Sequence, residues 1–355
     1  MVTQADCSIA FKKETTYGTP VTVERFLEFT SETLDLDRAY FQGENLRPGT
    51  RVARSQKRIM TREGAAGDIS QEVQTKGFAS LFELAFGVAS GWAEVEADSG
   101  VYQGVFTLAK DDFLPSATIQ KGIPRLPSAT EPGGVDAFTF PGCQVSSVEF
   151  EMSSEGVLTM TTSWVGGRAV DTATAYVPSA GKYPVGCELF SFVDAQIVLG
   201  GTITMPTTTT LATGGTPAGN IRECSISIDQ GLDDNGRNLG SGGERSRPAA
   251  VGLAEISGSL TIEYDTTEIT QAVLEQRGLA LVLTFQGPTP IGDSGLRPIV
   301  QIVVPEIKLE GDLPKSNGGD VITHSSDFVG LASLESLVGG QEPIYLVYRS
   351  DDTAM

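Results

Sequence analysis

Stretches in which apolar and polar residues alternate recur along the whole chain, separated by segments rich in glycine, proline, serine and threonine. A period of two is typical of a strand that buries one face and exposes the other. The alternation predicts strands at residues 33–37, 68–74, 101–108, 117–123, 145–152, 157–165, 224–229, 256–264, 279–285, 300–310 and 321–329. The predicted fold class is therefore all-β with minor α.

Two short segments have helical rather than alternating periodicity. Residues 78–86 carry an apolar stripe that ends at Gly87, which suits a glycine C-cap. In the second segment Ile269, Val273 and Leu274 form the apolar face, residues 265–268 offer an N-terminal cap, and Gly278 ends the pattern. Each half of the chain thus has one predicted helix.

The order of these elements repeats, which predicts two tandem β domains, 1–178 and 179–355. In both halves a strand, a long loop, a second strand and a helix precede a closing pair of strands. Residues 145–151 align with 304–310, and residues 162–167 align with 326–331. The alternative is that two unrelated β domains share common turn patterns.

Composition argues against several classes of function. The net charge is −20 and the pI is near 4.4, so the surface repels nucleic acid and anionic membranes. No window reaches the roughly 18 apolar residues that cross a bilayer, so no membrane binding is expected. Four well-separated cysteines read as reduced thiols of a protein that folds in a cytoplasm.

Motifs for chemistry are weak. The single histidine, His324, lies within a predicted strand and reads as a hydrogen-bonded structural side chain. Residues 233–236 resemble a calcium loop, but the glutamate of an EF-hand is missing, so a turn is favoured. The glycine cluster at 240–243 lacks the lysine of a phosphate loop. We predict no catalytic, cofactor or metal site, and a non-enzymatic protein.

Several segments, in this order along the chain, resemble major tail tube proteins of long-tailed (siphovirus-type) phages that infect actinobacteria. They are residues 11–20, 26–37, 67–78, 140–147, 321–325 and 344–348. The resemblance implies that each half is a tail-tube-like β-sandwich or barrel with one flanking helix. It also implies a virion protein, made in the host cytoplasm, that stacks as rings into a conduit for DNA.

The two faces of the predicted strands fit such a wall. The apolar face would carry Leu34, Leu36, Ile69, Val73, Val148, Phe150, Ile226, Ile228, Leu260, Ile262, Ile307 and Leu309. The opposite face carries the candidate lumen-facing acids Asp35, Asp37, Asp68, Glu72, Glu149, Glu151, Asp229, Glu263, Glu306 and Glu310. Acids in the bore would repel DNA, which carries one phosphate per roughly 1.7 Å, and let it slide. The alternative is an ordinary solvated outer face.

Basic residues gather in the first long loop, and we expect this loop to be poorly ordered or differently folded until rings stack. The candidate inter-ring contacts are Arg47, Arg51, Arg54, Lys57, Arg58 and Arg62, with a weaker echo at Arg237, Arg245 and Arg247. Arginine forms bidentate pairs with carboxylates of a neighbouring ring. A free solvated loop is the alternative, and DNA contact is disfavoured because it would hinder transit.

The duplication predicts the symmetry of the ring. Three chains with two domains each would supply six positions, giving a homotrimer with pseudo-sixfold symmetry; the alternative is a homohexamer. Other partners would be tail proteins at the tube ends and DNA in transient, non-specific passage. Rival functions are a capsid decoration or minor tail protein, and a carbohydrate-active β-sandwich, for which only Trp92 and Trp164 offer aromatic platforms.

Overall fold

The computed structural model describes residues 3–49, 51–127, 133–180, 182–218, 220–264, 268–311, 322–333 and 340–353. The helices are α1 (Ala79–Phe86) and α2 (Glu268–Glu275). The strands are β1 (Ser8–Lys13), β2 (Arg25–Leu27), β3 (Ser31–Glu32), β4 (Asp35–Leu36), β5 (Ala39–Gln42), β6 (Arg58–Arg62), β7 (Ala65–Glu72), β8 (Gly87–Glu94), β9 (Tyr102–Leu108), β10 (Ala117–Arg125), β11 (Gly134–Met152), β12 (Thr159–Gly166), β13 (Ala195–Leu199), β14 (Ile203–Thr204), β15 (Thr213–Gly214), β16 (Ile221–Asp229), β17 (Glu255–Glu263), β18 (Leu279–Gln286), β19 (Ile299–Glu310), β20 (Thr323–Gly330) and β21 (Tyr345–Ser350). The all-β prediction with minor α is confirmed.

Seventeen of these strands join into one antiparallel sheet, and β5–β6 and β14–β15 form two small separate ones. The first half contributes the neighbours β1–β10–β11–β12–β7, with β3 and β4 on the far edge of β7. The second half contributes β13–β18–β19–β20–β17–β16. One strand pair, β11 with β16, connects the two groups.

The two groups share their register as well as their order. Between β10 and β11 the pairing steps from Ala117–Cys143 to Ile119–Phe140, and between β18 and β19 it steps from Leu279–Ile307 to Leu281–Val304. In each case one residue on the first strand faces two on the second, which is a β-bulge at the same place.

A second shared detail lies one strand further on. Trp164 of β12 is opposite Gly67 of β7, and Phe328 of β20 is opposite Gly258 of β17. An aromatic residue is thus the cross-strand partner of a glycine at each position. The alignment of 162–167 with 326–331 therefore matches these partners.

In the other closing strand the sequence alignment was out of register. The partner of Trp164 on β11 is Val145, and the partner of Phe328 on β19 is Leu309. Val145 thus corresponds to Leu309, not to Val304 as aligned from sequence. The apolar run at the start of β19 is buried on both faces, so it shows no alternation that could fix the register.

The main core cluster includes side chains from both halves, from Ile9 to Tyr348, and two smaller clusters lie beside it. Eleven of the twelve side chains predicted for the apolar face are buried, as is Trp164. Leu36 is the exception, because 43% of its surface is exposed. Leu36 is on β4, at an open edge of the sheet.

Helix α1 fits its prediction, beginning one residue later than expected and ending at Gly87, whose φ of +97° suits the glycine C-cap. Six of its eight residues are buried. Helix α2 spans the predicted residues and begins at Glu268, the last residue of the cap expected at 265–268; residues 265–267 lie outside the described residues. No helix in the described ranges has the length and apolar character of a membrane span.

The alternation missed several elements. Strand β11 is nineteen residues long and begins well before the predicted 145. Strands β1, β8, β13 and β21 were not predicted as strands, and β21 pairs with β9 of the first half, so the sheet crosses the predicted domain boundary a second time. The first long loop, expected to be without regular structure, contains the β5–β6 hairpin.

Candidate functional site

One face of the large sheet is built from acidic, serine and threonine side chains. Residues that pair directly across neighbouring strands form rows that cross the sheet. One such row consists of Glu310, Asp327, Ser259, Ser225, Glu151, Thr159 and Glu72. The neighbouring row contains Glu149, and the next contains Glu255, Asp229 and Asp68. Because side chains alternate between faces, these groups share the face opposite the core.

The remaining predicted acids lie at the margins of this polar face. Asp35 is opposite Ala66, and Asp37 follows two residues later on the same edge. Glu263 is at the end of β17, opposite Thr323. Glu306 lies at the bulge of β19, beside Gly278. The structure thus brings the predicted acids onto one continuous surface.

Sequence reasoning missed three further acids of this face, Glu223, Glu255 and Asp327, whose strand positions have the same parity. Few positive charges accompany them. Arg222 forms an ion pair with Glu263, and Lys308 lies between Glu306 and Glu310 on β19. Burial, and next the charge of Glu151, raise the pKa of the Glu149 carboxyl above its ordinary value. The polar face is therefore strongly negative.

The predicted basic residues lie on and around the β5–β6 hairpin. Arg47 and Arg51 are exposed in its connecting loop, Arg54 precedes the short 3-10 turn before β6, and Lys57 is the last residue of that turn. The Arg58 guanidinium stacks on Tyr40 at 4.6 Å from the ring centroid. Arg62 is instead paired with Asp37, so these two predicted site residues bind each other within the chain.

The hairpin also exposes large apolar side chains, which the sequence reasoning did not include. Phe41 is opposite Ile59, and about 60% of each side chain is exposed (60% and 61%). On the other face Tyr40 is opposite Met60 and is 49% exposed. A free hairpin with apolar groups on both faces has the character of a docking element.

The equivalent loop of the second half, 231–254, is folded onto the first half. Arg245 is fully buried and is paired with Asp234, and Arg168 binds Glu244 at 2.9 Å. The backbone adds a bond from Glu63 N to Gly243 O, 3.0 Å. The weak basic echo predicted here is thus used for internal packing.

Residues 233–236, favoured as a turn from sequence, form no regular turn; Asp233 instead forms an isolated bridge with Ala250. The carboxylate of Asp233 accepts bonds from the backbone and side-chain nitrogens of Asn235, which lowers its pKa. Across the described ranges no cluster of three or more metal-ligating side chains occurs. The expectation for His324 was partly wrong: it is buried within β20, but its Nε2 has no hydrogen-bond partner among the described residues.

The strands β3 and β4 form an edge that no other strand covers in the described part of the chain. The backbone N–H groups of Thr30, Thr33 and Asp37 donate towards β7. Leu34 N donates to the Glu32 carboxylate at 3.1 Å, and Leu36 N donates to the Asp35 carboxylate at 2.7 Å. These outward N–H groups are bonded to local side chains and not to another strand of the described residues.

Beside this edge lies an open groove of about 1170 Å³. Its apolar lining includes Leu34, Leu36, Ile123, Phe138, Phe140 and Val170. Lys121 spans the groove wall, where its Nζ binds the Glu32 carboxylate at 2.6 Å. The groove is wide and mixed in character, unlike a closed cavity for a small ligand.

A continuous sheet with a strongly polar face, an open edge and an exposed hairpin defines a protein that associates through its surfaces. A model of the phage tail tube protein family matches residues 4–334, nearly the whole chain. The chain therefore belongs to the phage tail tube proteins, a family of structural virion components that assemble into a tube. No curated protein sequence matched the chain in a parallel search.

Proposed function

We propose that this chain is the major tail tube protein of a long-tailed phage and polymerises as stacked rings into the conduit that delivers DNA into the host. The observation that carries this proposal is the β11–β16 strand pair, which joins two similar groups of strands edge to edge. The resemblance of the opening and closing segments supports an actinobacterial host, in whose cytoplasm the tail would assemble before the virion is released.

The halves 1–178 and 179–355 are proposed to be tandem copies of one fold. The shared strand order, the matched bulges and the glycine–aromatic pairs support this reading. Leu34 is then the counterpart of Ile226, because Gly67 approaches the Leu34 backbone as Gly258 approaches the Ser225 carbonyl. By the same register Leu36 corresponds to Ile228.

This correspondence supports a three-chain ring. Within the chain β16 has β11 on its outer edge, whereas the matching edge of β3 and β4 is uncovered. Three tandem chains that repeat the β11–β16 joint would close a ring of six similar positions. The formal charge of such a ring is 3 × (−20) = −60.

The polar face is proposed to line the bore. Its acids and hydroxyl groups would repel the phosphates of DNA and offer no cationic grip, so DNA would slide without adhering. The basic, apolar hairpin of the first half would contact the next ring, with its arginines facing carboxylates there. Other tail proteins would then be needed only at the two ends of the tube.

Electron microscopy of the purified chain tests the proposal. Long hollow tubes with three chains per layer are expected. Six chains per layer would favour the homohexamer, and discrete globular oligomers would favour a capsid decoration or minor tail protein. The variant with Arg51, Arg54 and Arg58 changed to glutamate should stay folded but fail to elongate. Normal tubes from this variant would remove the hairpin's stacking role.

A further inference from the structure

The groove beside β3 and β4 corresponds to a site that is filled in the other half of the chain. Through the matched bulges, Ile123 corresponds to Phe285 and Phe138 corresponds to Ile302. In the second half Ile228, Phe285 and Ile302 are at most 1% exposed. In the first half Leu36 is 43% exposed, and Ile123 and Phe138 are only half-buried.

Helix α1 and the end of β11 fill the second-half site. The Phe82 ring lies 5.2 Å from the Tyr348 ring of β21 and 6.2 Å from the Phe150 ring of β11. Gln230, at the end of β16, donates from Nε2 to the carbonyl of Ala85 at 2.7 Å. The helix of the first half therefore completes the core of the second half.

Helix α2 occupies the same position relative to the strands of the second half as α1 occupies relative to those of the first half. It packs on β19 through Ile269 and Val273, as α1 packs on β11. Gln276, after the helix, donates from Nε2 to the Leu309 carbonyl at 3.4 Å. Leu274 leaves 67% of its surface exposed. No second-half groove remains for α2, because α1 occupies that position.

We infer that the first-half groove is the docking site for α2 of a second copy of this chain. This inference rests on the proposed ring and names its intermolecular contact. The occupant is specified by the internal joint: the segment that fills the second-half site belongs to the half preceding it, so the first-half site must receive its counterpart from another chain. Arg38, the counterpart of Gln230, lines the groove where the helix carbonyls would arrive.

Site-specific photocross-linking tests the contact. The probe p-benzoylphenylalanine replaces Phe138 in the full chain, and assembled material is irradiated and digested. A mixture of heavy- and light-isotope chains identifies links between copies. We expect intermolecular links to residues 269–276. The same probe at Leu253, which is 86% exposed and outside the groove, should give no links to α2.

A pair of charge variants gives an independent readout. Phe138→Glu should keep the monomer's thermal midpoint within a few degrees but abolish sedimentable tubes, because the groove is open in the free chain. Its counterpart Ile302→Glu should prevent folding, because Ile302 is fully buried within the chain. Three results would overturn the docking site: tubes whose links reach only other segments, tubes without any links, and tubes formed by the Phe138→Glu variant. Each of them would leave the proposed tube itself intact. A wild-type chain that forms no tube would remove both proposals.

Discussion

Replacing Phe82 by alanine should test whether the two halves unfold as one unit. The Phe82 ring contacts Phe78 in its own segment, Phe150 on β11 and Tyr348 on β21, with centroid separations of 5.7, 6.2 and 5.2 Å. Truncating a buried phenylalanine costs about 3–5 kcal/mol, because transfer energy is lost and a cavity remains. The free energy of unfolding of a chain this large falls steeply with urea concentration, so this loss should lower the urea midpoint by roughly 1 M.

The chain's two tryptophans report on different parts of this core. Trp164 is buried on β12, and Trp92 packs against Tyr348 and donates from Nε1 to the Asp352 carbonyl at 2.8 Å. The variants Trp92→Phe and Trp164→Phe each leave one fluorophore. Urea unfolding of both, with and without Phe82→Ala, should give coincident transitions that shift together.

A matched control is Phe113→Ala, because Phe113 is 42% exposed and should change stability by less than about 0.5 kcal/mol. Two separate transitions in the unsubstituted chain would refute unfolding as one unit. So would a Phe82→Ala shift that is seen with only one of the two fluorophores. Either result would mean that α1 does not couple the region around Trp164 to the region where Trp92 packs on β21.

Further changes test the register and the acidic face. Gly258→Ala should destabilise the chain by about 1–3 kcal/mol, because the new Cβ would lie 2.2 Å from the Ser225 carbonyl; Gly134→Ala, with its nearest atom 3.9 Å away, should be neutral in thermal melts. Glu149→Gln should raise the melting temperature at neutral pH, because a raised pKa means that the ionised carboxylate opposes folding, and the gain should vanish as acid protonates Glu149. Asp171→Asn should lower the melting temperature at neutral pH, because hydrogen bonds from Thr174 and Ala173 lower the pKa of Asp171, so its ionised carboxylate favours folding. This decrease should vanish when the pH falls below the pKa of Asp171 in the folded chain. Thermal melts in which both acid variants change the melting temperature in the same direction would contradict the opposite pKa shifts of Glu149 and Asp171.

The alternating strands and the amphipathic α1 could be read from sequence because local pattern determines them. Asp68 and Glu72, for example, alternate with buried Ile69 and Val73, so both the strand and its polar face follow. The candidate acids were found for this reason. Their union on one surface depends on cross-strand register, which a single strand does not contain.

Other features depend on contacts between distant segments. The pairing of β9 with β21 joins residues more than two hundred positions apart. Strand β9 was predicted, but β21 is buried on both faces and was not, so their pairing could not be read from sequence. Likewise Arg245 belongs to a glycine-rich loop that appears solvated in sequence, yet it is fully buried against Asp234. Its burial follows from how loop 231–254 lies on the first half, and no local signal encodes that.

The two helices differ in composition, and the proposed ring accounts for this difference through one tethered joint and one intermolecular joint. Helix α1 is covered within every folded chain, so nearly all of its residues can be apolar without exposing them to water. On the proposed assembly, α2 must stay in solvent until another chain arrives, and its sequence retains Glu268, Thr270, Gln271 and Glu275. Tethering also gives the internal joint a high effective concentration, so it forms first. The intermolecular joint of the proposed ring then depends on chain concentration, whereas the internal joint does not.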